Sequence, residues 1–138
     1  MSVYRLTVMV AALVAVLGGL LFWWPDEKQR ADRSAMVNVT VPALGPDEQQ
    51  GSLLFNDNCA SCHGVNAAGQ KGVAPPLIHK IYEPGHHADI SFLLAAKNGV
   101  RAHHWPFGNM PPVPSVNAED VAQIVRFIRS VQRANGIN

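Results

Sequence analysis

The chain has 138 residues, a length that suits one folded domain with an additional segment. Its formal net charge of +1 and the lack of a basic stripe argue against nucleic acid as a partner. Ten prolines and eleven glycines favour a loop-rich domain, with little apolar core of its own, over a long helical bundle.

An uncharged run of nineteen residues extends from Leu6 to Trp24. About 20 apolar residues cross a bilayer as a helix, and aromatic residues at both ends of the run suit the membrane interface. We therefore expect residues 1–25 to form an N-terminal transmembrane helix that anchors the chain in the lipid bilayer. A cleaved signal peptide is the alternative, but its apolar region spans about 7–15 residues and ends at a small-residue site, which is absent here.

Two segments follow this run, a predicted linker and then a predicted folded domain. Residues 26–44 begin with a charged stretch, continue as a polar segment without a periodic apolar face, and are predicted to be a linker. A helix is predicted to start at residues 45–48, because Pro46 suits a first turn and the two acids that follow it complement the helix dipole. The folded domain is therefore expected to span residues 45–138.

The only two cysteines of the chain lie in the motif Cys59-x-x-Cys62-His63. This spacing is typical of the attachment site of a c-type haem, in which two thiols bind one porphyrin and the histidine binds its iron. A thioredoxin-like redox pair would need a βαβ context, and a zinc site would need further ligands. A structural disulfide would leave His63 unexplained.

Gly51 and Phe55, together with the motif at residues 59–63, resemble the opening of a class I cytochrome c, and the resemblance runs from about residue 46 to residue 135. It implies an all-α fold of several short helices and loops around one covalently bound haem c. It also implies thioether bonds to Cys59 and Cys62, with His63 as an axial ligand of the iron.

A proline-rich stretch follows at residues 74–77. In the family, a similar stretch wraps the side of the haem that the axial histidine occupies. The resemblance implies that the Pro75 carbonyl accepts a hydrogen bond from His63 and that Leu77 packs on the porphyrin. A ligating histidine needs such an acceptor to fix its tautomer.

A second helix is predicted over residues 89–98, with Gly99 as its C-terminal stop. Its apolar positions follow helical spacing through Ile90, Leu93 and Leu94. The two histidines before this helix, His86 and His87, are interpreted as surface residues or as part of the N-terminal cap region of the helix, because neighbouring histidines on a loop are poor ligands of one haem iron.

The sixth ligand of the iron is expected in the loop of residues 99–114, which is rich in proline and glycine. Met110, followed by proline before the last helix, resembles the distal ligand of the family. His103 and His104 are the alternatives, and Met110 would then be a core filler. Methionine raises the reduction potential of the iron relative to bis-histidine ligation.

Two further residues of this loop are candidate haem contacts. Arg101 and Trp105 lie close in sequence to the expected distal ligand, and each carries N–H groups that can donate to a haem propionate.

The last helix is predicted to start after Asn117, which suits an N-cap, and to bury a face that runs from Val121 to Val131. Three arginines recur on its other side and are expected to be solvated: Arg126, Arg129 and Arg133. The resemblance also implies that Gly51 on the first helix packs against Phe127 on this one.

The resemblance implies an electron carrier rather than an enzyme, and no carboxylate pair or nucleophile–base arrangement suggests catalysis. Its expected partners are membrane redox enzymes, namely an oxidase, a quinol–cytochrome c reductase or a dehydrogenase. Family members receive haem outside the cytoplasm, so we expect a single-pass protein of the inner membrane with its haem domain facing the periplasm. The basic residues that flank the apolar run mildly favour the opposite orientation.

Two alternatives to a free carrier remain at this point. A permanent haem subunit of a membrane oxidase or dehydrogenase complex is favoured by small residues at helical spacing in the anchor, Ala11, Ala15 and Gly19, which let helices pack closely in lipid. A haem gas sensor would need a distal ligand that can be displaced.

Overall fold

A computed structural model of the protein describes residues 34–138. Four α-helices lie in this part of the chain, namely α1 (Pro46–Asn58), α2 (Ala60–His63), α3 (Asp89–Asn98) and α4 (Ala118–Ala134). Two short 3₁₀ helices, Val65–Ala67 and Lys80–Tyr82, lie between α2 and α3. The described chain pairs as β-structure only in two isolated bridges, so the predicted helical fold is confirmed.

The predicted membrane anchor and the charged stretch that follows it, residues 26–33, lie outside the described residues. Between residues 34 and 138, none of the helices has the length and apolar character needed to cross a bilayer.

The core forms where α1 crosses α4. A methyl group built on Gly51 would lie 2.0 Å from the backbone oxygen of Gln123 and 3.1 Å from Cβ of Phe127, so only glycine permits this approach. The rings of Phe55 and Phe127 pack beside the crossing with their centroids 5.7 Å apart, and both side chains are buried. The predicted contact between Gly51 and Phe127 is therefore present.

Helix α4 begins as its sequence predicts. The Asn117 side chain accepts hydrogen bonds from the backbone N–H groups of Glu119 and Asp120, and the Asp120 carboxylate accepts one from the N–H of Asn117. This reciprocal capping box satisfies N–H groups that a helix start otherwise leaves unpaired. The predicted apolar face of α4 is buried: Val121, Ile124, Val125, Ile128 and Val131.

The expectation of a solvated arginine face is wrong for Arg129. Arg126 is exposed, and its guanidinium lies 3.3 Å from the carboxylate of Asp47. Arg129 is only 7% exposed, although it lies on the same helix three residues later. Its guanidinium pairs with Asp89 at 2.8 Å and donates hydrogen bonds to backbone and side-chain oxygens of Tyr82, His87 and Gln132. Burial of the cation is tolerated because these acceptors replace water.

Residues 34–44, the described part of the predicted linker, lie along the folded domain. The backbone N–H groups of Met36 and Val37 donate to the carbonyl of Ala68, at 3.1 and 3.2 Å. Thr40 exchanges two hydrogen bonds with the side chain of Asn135, at 2.9 and 2.8 Å. These contacts hold this part of the chain on the domain instead of leaving it free to swing.

Helix α3 has the predicted bounds but a different environment from the one its apolar spacing suggests. Ile90 is 57% exposed and Leu94 is 49% exposed, and the helix has no buried residue. The predicted apolar positions do not share one environment, because Ile90 and Leu93 lie outside the cleft of the candidate site, whereas Phe92 packs against the core. Leu94 instead lines the cleft that contains the candidate site.

Candidate functional site

A cleft of about 470 Å³ opens between the segment around α2, helix α3 and the loop of residues 99–114. Its volume lies in the usual range of cofactor and ligand pockets, roughly 300–1,000 Å³. Seven of the eight residues predicted to hold or contact the haem line it: Cys59, Cys62, His63, Pro75, Leu77, Trp105 and Met110. Arg101 is the exception, because it is exposed and does not line the cleft.

Helix α2 presents the histidine of the motif to the cleft. The His63 Nδ1–H donates to the carbonyl of Pro75 at 2.9 Å, so the other ring nitrogen, Nε2, keeps its lone pair. Burial lowers the pKa of His63, and the hydrogen bond to Pro75 opposes that effect in part. The result is a neutral imidazole in a fixed tautomer, which is the form that binds metal ions.

Two glycines bring the proline-rich segment close enough for this hydrogen bond. Gly64 and Gly69 both have positive φ, +73° and +76°. A methyl group on Gly64 would lie 2.4 Å from the Gly69 oxygen, and one on Gly69 would lie 2.6 Å from the nitrogen of Pro76. Larger residues would push the Pro75 carbonyl away from His63.

The two cysteines carry free thiols. Burial raises the pKa of Cys59 to about 11, and the neighbouring Cys62 adds to this effect. Thiol–disulfide redox motifs depend on a lowered thiol pKa, so the local environment argues against a thioredoxin-like pair.

Leu77 forms part of the cleft wall and is held from two directions. Its N–H donates to the Ala67 carbonyl at 2.9 Å, and its own carbonyl accepts from Nε2 of Gln132 at 2.9 Å. Gln132 is completely buried in α4, four residues after Ile128. Sequence reasoning overlooked this residue, although a lone amide that continues an apolar helical face is the signal that could have identified it.

Met110 is held in the cleft by a short hairpin. Val100 and Met110 exchange two backbone hydrogen bonds, each 2.9 Å long. The Asn109 side chain accepts from the N–H of Ala102 at 2.9 Å, and the N–H of Val113 donates to Ala96 at 2.7 Å, which joins the loop to α3. The loop of residues 99–114 is therefore irregular but internally bonded.

Trp105 has an unusual environment within the cleft. Its indole Nε1–H is buried and has no hydrogen-bond partner. Burial raises the pKa of Tyr82, and the nearby indole of Trp105 opposes that rise. A buried donor without a partner costs about 1–3 kcal/mol, so this N–H indicates that a further acceptor belongs in the cleft.

The alternative ligands, His103 and His104, are exposed and lie at the rim of the cleft. The His103 Nδ1–H donates to the carbonyl of Arg101 at 2.8 Å. The His104 ring packs near the rings of His86 and His87, with centroids 5.2 and 5.4 Å away. Slight desolvation and then repulsion by the neighbouring imidazoles lower the pKa of His104.

The remaining lining is largely apolar and includes aromatic residues that sequence reasoning did not assign to the site: Phe55, Tyr82, Phe92 and Phe107. These residues come from α1, the second 3₁₀ helix, α3 and the 99–114 loop. Only the folded chain brings them together, so spacing in the sequence gives no direct signal for them.

These residues fit a covalently attached haem. The thiol of Cys62 and the neutral, oriented imidazole of His63 lie on one short helix, and the thiol of Cys59 is carried by the residue that caps its start. The cleft beside them is mostly apolar, as a porphyrin requires, and it contains one buried N–H that lacks an acceptor. A second candidate iron ligand, Met110, lines the same cleft.

Comparison with known proteins agrees with this chemistry. The family described as "Cytochrome c" matches residues 48–132. The chain is 36% identical over 111 residues to the "Cbb3-type cytochrome c oxidase subunit FixP" of Rhizobium meliloti (strain 1021), which covers 78% of this chain and 35% of that protein.

Two further relatives carry similar descriptions. The "Cbb3-type cytochrome c oxidase subunit CcoP" of Rubrivivax gelatinosus is 32% identical over 117 residues, or 78% of this chain and 36% of that protein. The FixP subunit of Sinorhizobium medicae (strain WSM419) is 32% identical over 79 residues, or 55% of this chain and 27% of that protein. The chain therefore spans about a third of the length of these relatives. No solved structure is significantly similar to it.

Proposed function

Because the chain belongs to the cytochrome c family, we propose that it relays single electrons through one covalently bound haem c as part of a membrane oxidase complex. The observation that carries this proposal is the shared cleft, which brings the motif of residues 59–63 together with Met110. The haem supplies a one-electron ferric/ferrous couple when bound. No residue of the cleft needs to act as an acid, base or nucleophile.

Each residue of the site has a proposed role. Cys59 and Cys62 would hold the haem through thioether bonds, and His63 and Met110 would bind its iron. Pro75 fixes the tautomer of His63 through the 2.9 Å hydrogen bond described above.

The side chains around these ligands position the haem. Leu77 packs on the porphyrin and helps to exclude water. The unpartnered N–H of Trp105 donates to a haem propionate, and the exposed Arg101 assists at the rim.

The choice of Met110 over the two histidines rests on their surroundings. Backbone hydrogen bonds to Val100 hold Met110 in the cleft. His103 and His104 are exposed at its rim, and the His104 ring lies among other imidazoles. Ligation by Met110 and His63 gives a higher reduction potential than bis-histidine ligation would give.

The absorption spectrum of the oxidised, haem-loaded chain tests this assignment. We expect the weak near-red band of a methionine sulfur on ferric haem, and we expect Met110→Ala to abolish it and to lower the reduction potential. Met36→Ala is the matched control, because Met36 does not line the cleft and its loss should preserve the band. A band that survives Met110→Ala would show that another residue is the sixth ligand. Absence of the band from the unaltered chain would show that no methionine binds the iron and would contradict the assignment of Met110.

The relatives described as cytochrome c oxidase subunits support the assignment to an oxidase complex. We propose that residues 1–25 anchor the chain by a single pass in the inner membrane, that residues 26–44 connect the anchor to the haem domain, and that residues 45–138 face the periplasm. The haem would then pass electrons to its partners at one face of the bilayer.

Mild solubilisation of the native membrane distinguishes a subunit from a free carrier. We expect the haem-loaded chain to migrate in one large complex with oxidase activity on a native gel. Migration of the chain alone, with undiminished oxidase activity in fractions that lack it, would favour a free carrier. This outcome would leave the haem assignment intact, because the spectrum tests that assignment separately.

A further inference from the structure

Four of the six histidines of the chain meet at one place on its surface. His86 and His87 precede α3, whereas His103 and His104 lie in the 99–114 loop. The His86 and His87 rings are stacked with centroids 4.8 Å apart, and the His103 and His104 rings lie 4.2 Å apart. The fold therefore joins two histidine pairs that are separate in the sequence.

Three of these side chains bring a ring nitrogen to one place. His86, His87 and His104 each offer a ring nitrogen, and these three nitrogens all lie within 4.8 Å of one another. A tetrahedral zinc ion, with Zn–N bonds of about 2.0–2.1 Å, holds its nitrogens roughly 3.3 Å apart. His86 and His104 are exposed, so rotation of their side chains can supply the remaining approach.

The middle histidine of the group is already oriented. The His87 Nδ1–H donates to the carbonyl of Ile81 at 2.6 Å, which leaves its Nε2 lone pair available. The buried guanidinium of Arg129 holds the backbone carbonyl of the same residue. A hydrogen bond on the far side of the ring is what orients a metal-ligating histidine and raises its basicity.

We propose that His86, His87 and His104 bind a divalent transition-metal ion of the class that prefers imidazole, such as Zn²⁺. Three histidines leave a fourth position of a tetrahedral ion open for water or for a donor from a partner. Neither the electron-transfer role nor the identity of the sixth iron ligand is needed for this site. Its place at the cleft rim, where His87 and His104 are lining residues, would put a positive charge next to the haem.

Zinc titration of the full haem-loaded chain in detergent, purified with a tag that contains no histidine, tests the proposal. Competition with a zinc-indicating dye should show one Zn²⁺ per chain. His86→Gln and His104→Gln should each weaken binding by about tenfold or more, because each removes a ligand. Mg²⁺, which prefers oxygen ligands, should not compete.

The matched control is His103→Gln, which removes a neighbouring imidazole that lies outside the three-nitrogen group. Zinc affinity should change by less than about threefold in this variant. The reduction potential of the unaltered chain should rise when Zn²⁺ is added, and this rise should be absent in His104→Gln. The near-red band should persist throughout, since the axial ligands stay in place.

Three results would overturn the proposal. The first is an unaltered chain that takes up no Zn²⁺, and the second is zinc binding that survives His86→Gln and His104→Gln unchanged. The third is a loss of zinc affinity in His103→Gln as large as the loss in His104→Gln, since the ligands of the zinc ion would then differ from those assigned. A near-red band that vanishes in His104→Gln would make His104 a determinant of iron ligation and would also count against the separate site.

Discussion

The crossing of α1 and α4 and the wall of the cleft differ in how their side chains are packed. Where α1 crosses α4, protein atoms meet protein atoms: Gly51 approaches the backbone at Gln123, and Phe55 and Phe127 are buried. Around the cleft the chain is incomplete, because Leu94 is 49% exposed and the Trp105 N–H has no acceptor.

This difference separates two tasks of the fold. The helix crossing supplies a scaffold that the sequence closes by itself, whereas the cleft wall becomes complete only with the haem. Substitutions in the crossing should therefore lower stability and leave the haem chemistry unchanged. Substitutions in the cleft should alter the haem chemistry first.

The largest effect is expected from removal of both thiols. The Cys59→Ala/Cys62→Ala double variant should contain no covalently bound haem, because both proposed thioether bonds are lost. Haem staining of a denaturing gel, with mass spectrometry of the intact chain, measures this directly. Each single variant should retain one bond, and covalent haem in the double variant would contradict the site.

Gly51→Ala tests the scaffold side. The added methyl group would lie 2.0 Å from a backbone oxygen that cannot move alone, so the helices must separate. We expect the free energy of unfolding of the haem-loaded chain to fall by about 3 kcal/mol, at the upper end of ordinary overpacking. Denaturant unfolding measures it.

Gly85→Ala is the control for this variant, because a methyl group at Gly85 meets no atom within 4 Å and its φ is not positive. The free energy of unfolding of Gly85→Ala should differ from that of the unaltered chain by no more than about 0.5 kcal/mol. If the two variants proved equally stable, the close crossing would have no energetic importance.

Arg129→Leu should lower the free energy of unfolding by about 2–3 kcal/mol. The loss is smaller than for a fully buried ion pair, because the side chain of Asp89, the partner of Arg129, is 70% exposed. The loss leaves the acceptors at His87 and Gln132 without this donor, whereas the Tyr82 carbonyl keeps its hydrogen bond from Nε2 of Gln132. Arg126→Leu is the control, because Arg126 lies on the same helix and its ion pair is exposed. It should lower the free energy of unfolding by less than about 1 kcal/mol. Similar losses in thermal unfolding of the two variants would argue against a structural role specific to Arg129.

The smallest effect is expected from Trp105→Phe, which keeps an aromatic ring but removes the N–H. A hydrogen bond of about 1 kcal/mol to a haem propionate would keep the pKa of that propionate about 0.7 lower than without it. The pH dependence of the reduction potential should reveal the rise in this pKa in the variant. An unchanged profile would mean that the indole has a packing role only.

The sequence predicted the elements that depend on local signals. The bounds of α3 and the capping of α4 follow from residues within one or two turns, and the structure has both where they were expected. The motif of residues 59–63 indicates haem attachment by itself, because its chemistry requires that spacing. The hydrogen bond from His63 to Pro75, which the family resemblance implies, is present in the structure.

Local signals could not show which polar side chains the fold would enclose. Helical periodicity treats Arg126 and Arg129 alike, and only the approach of α3 and the preceding loop distinguishes them. The meeting of His87 with His104 is also a tertiary event, since two separate loops must converge. From the sequence alone, His86 and His87 are interpreted as surface or cap residues, and local patterns give no signal for their contacts with His103 and His104.

The paired hydrogen bonds between Thr40 and Asn135 have an architectural consequence. They place the chain entering the domain beside the chain leaving it, although 95 residues separate the two positions. A unit whose entry and exit adjoin can be inserted into a longer polypeptide with little distortion of either partner. The relatives, in which a matching stretch makes up about a third of a larger protein, are consistent with such modular reuse.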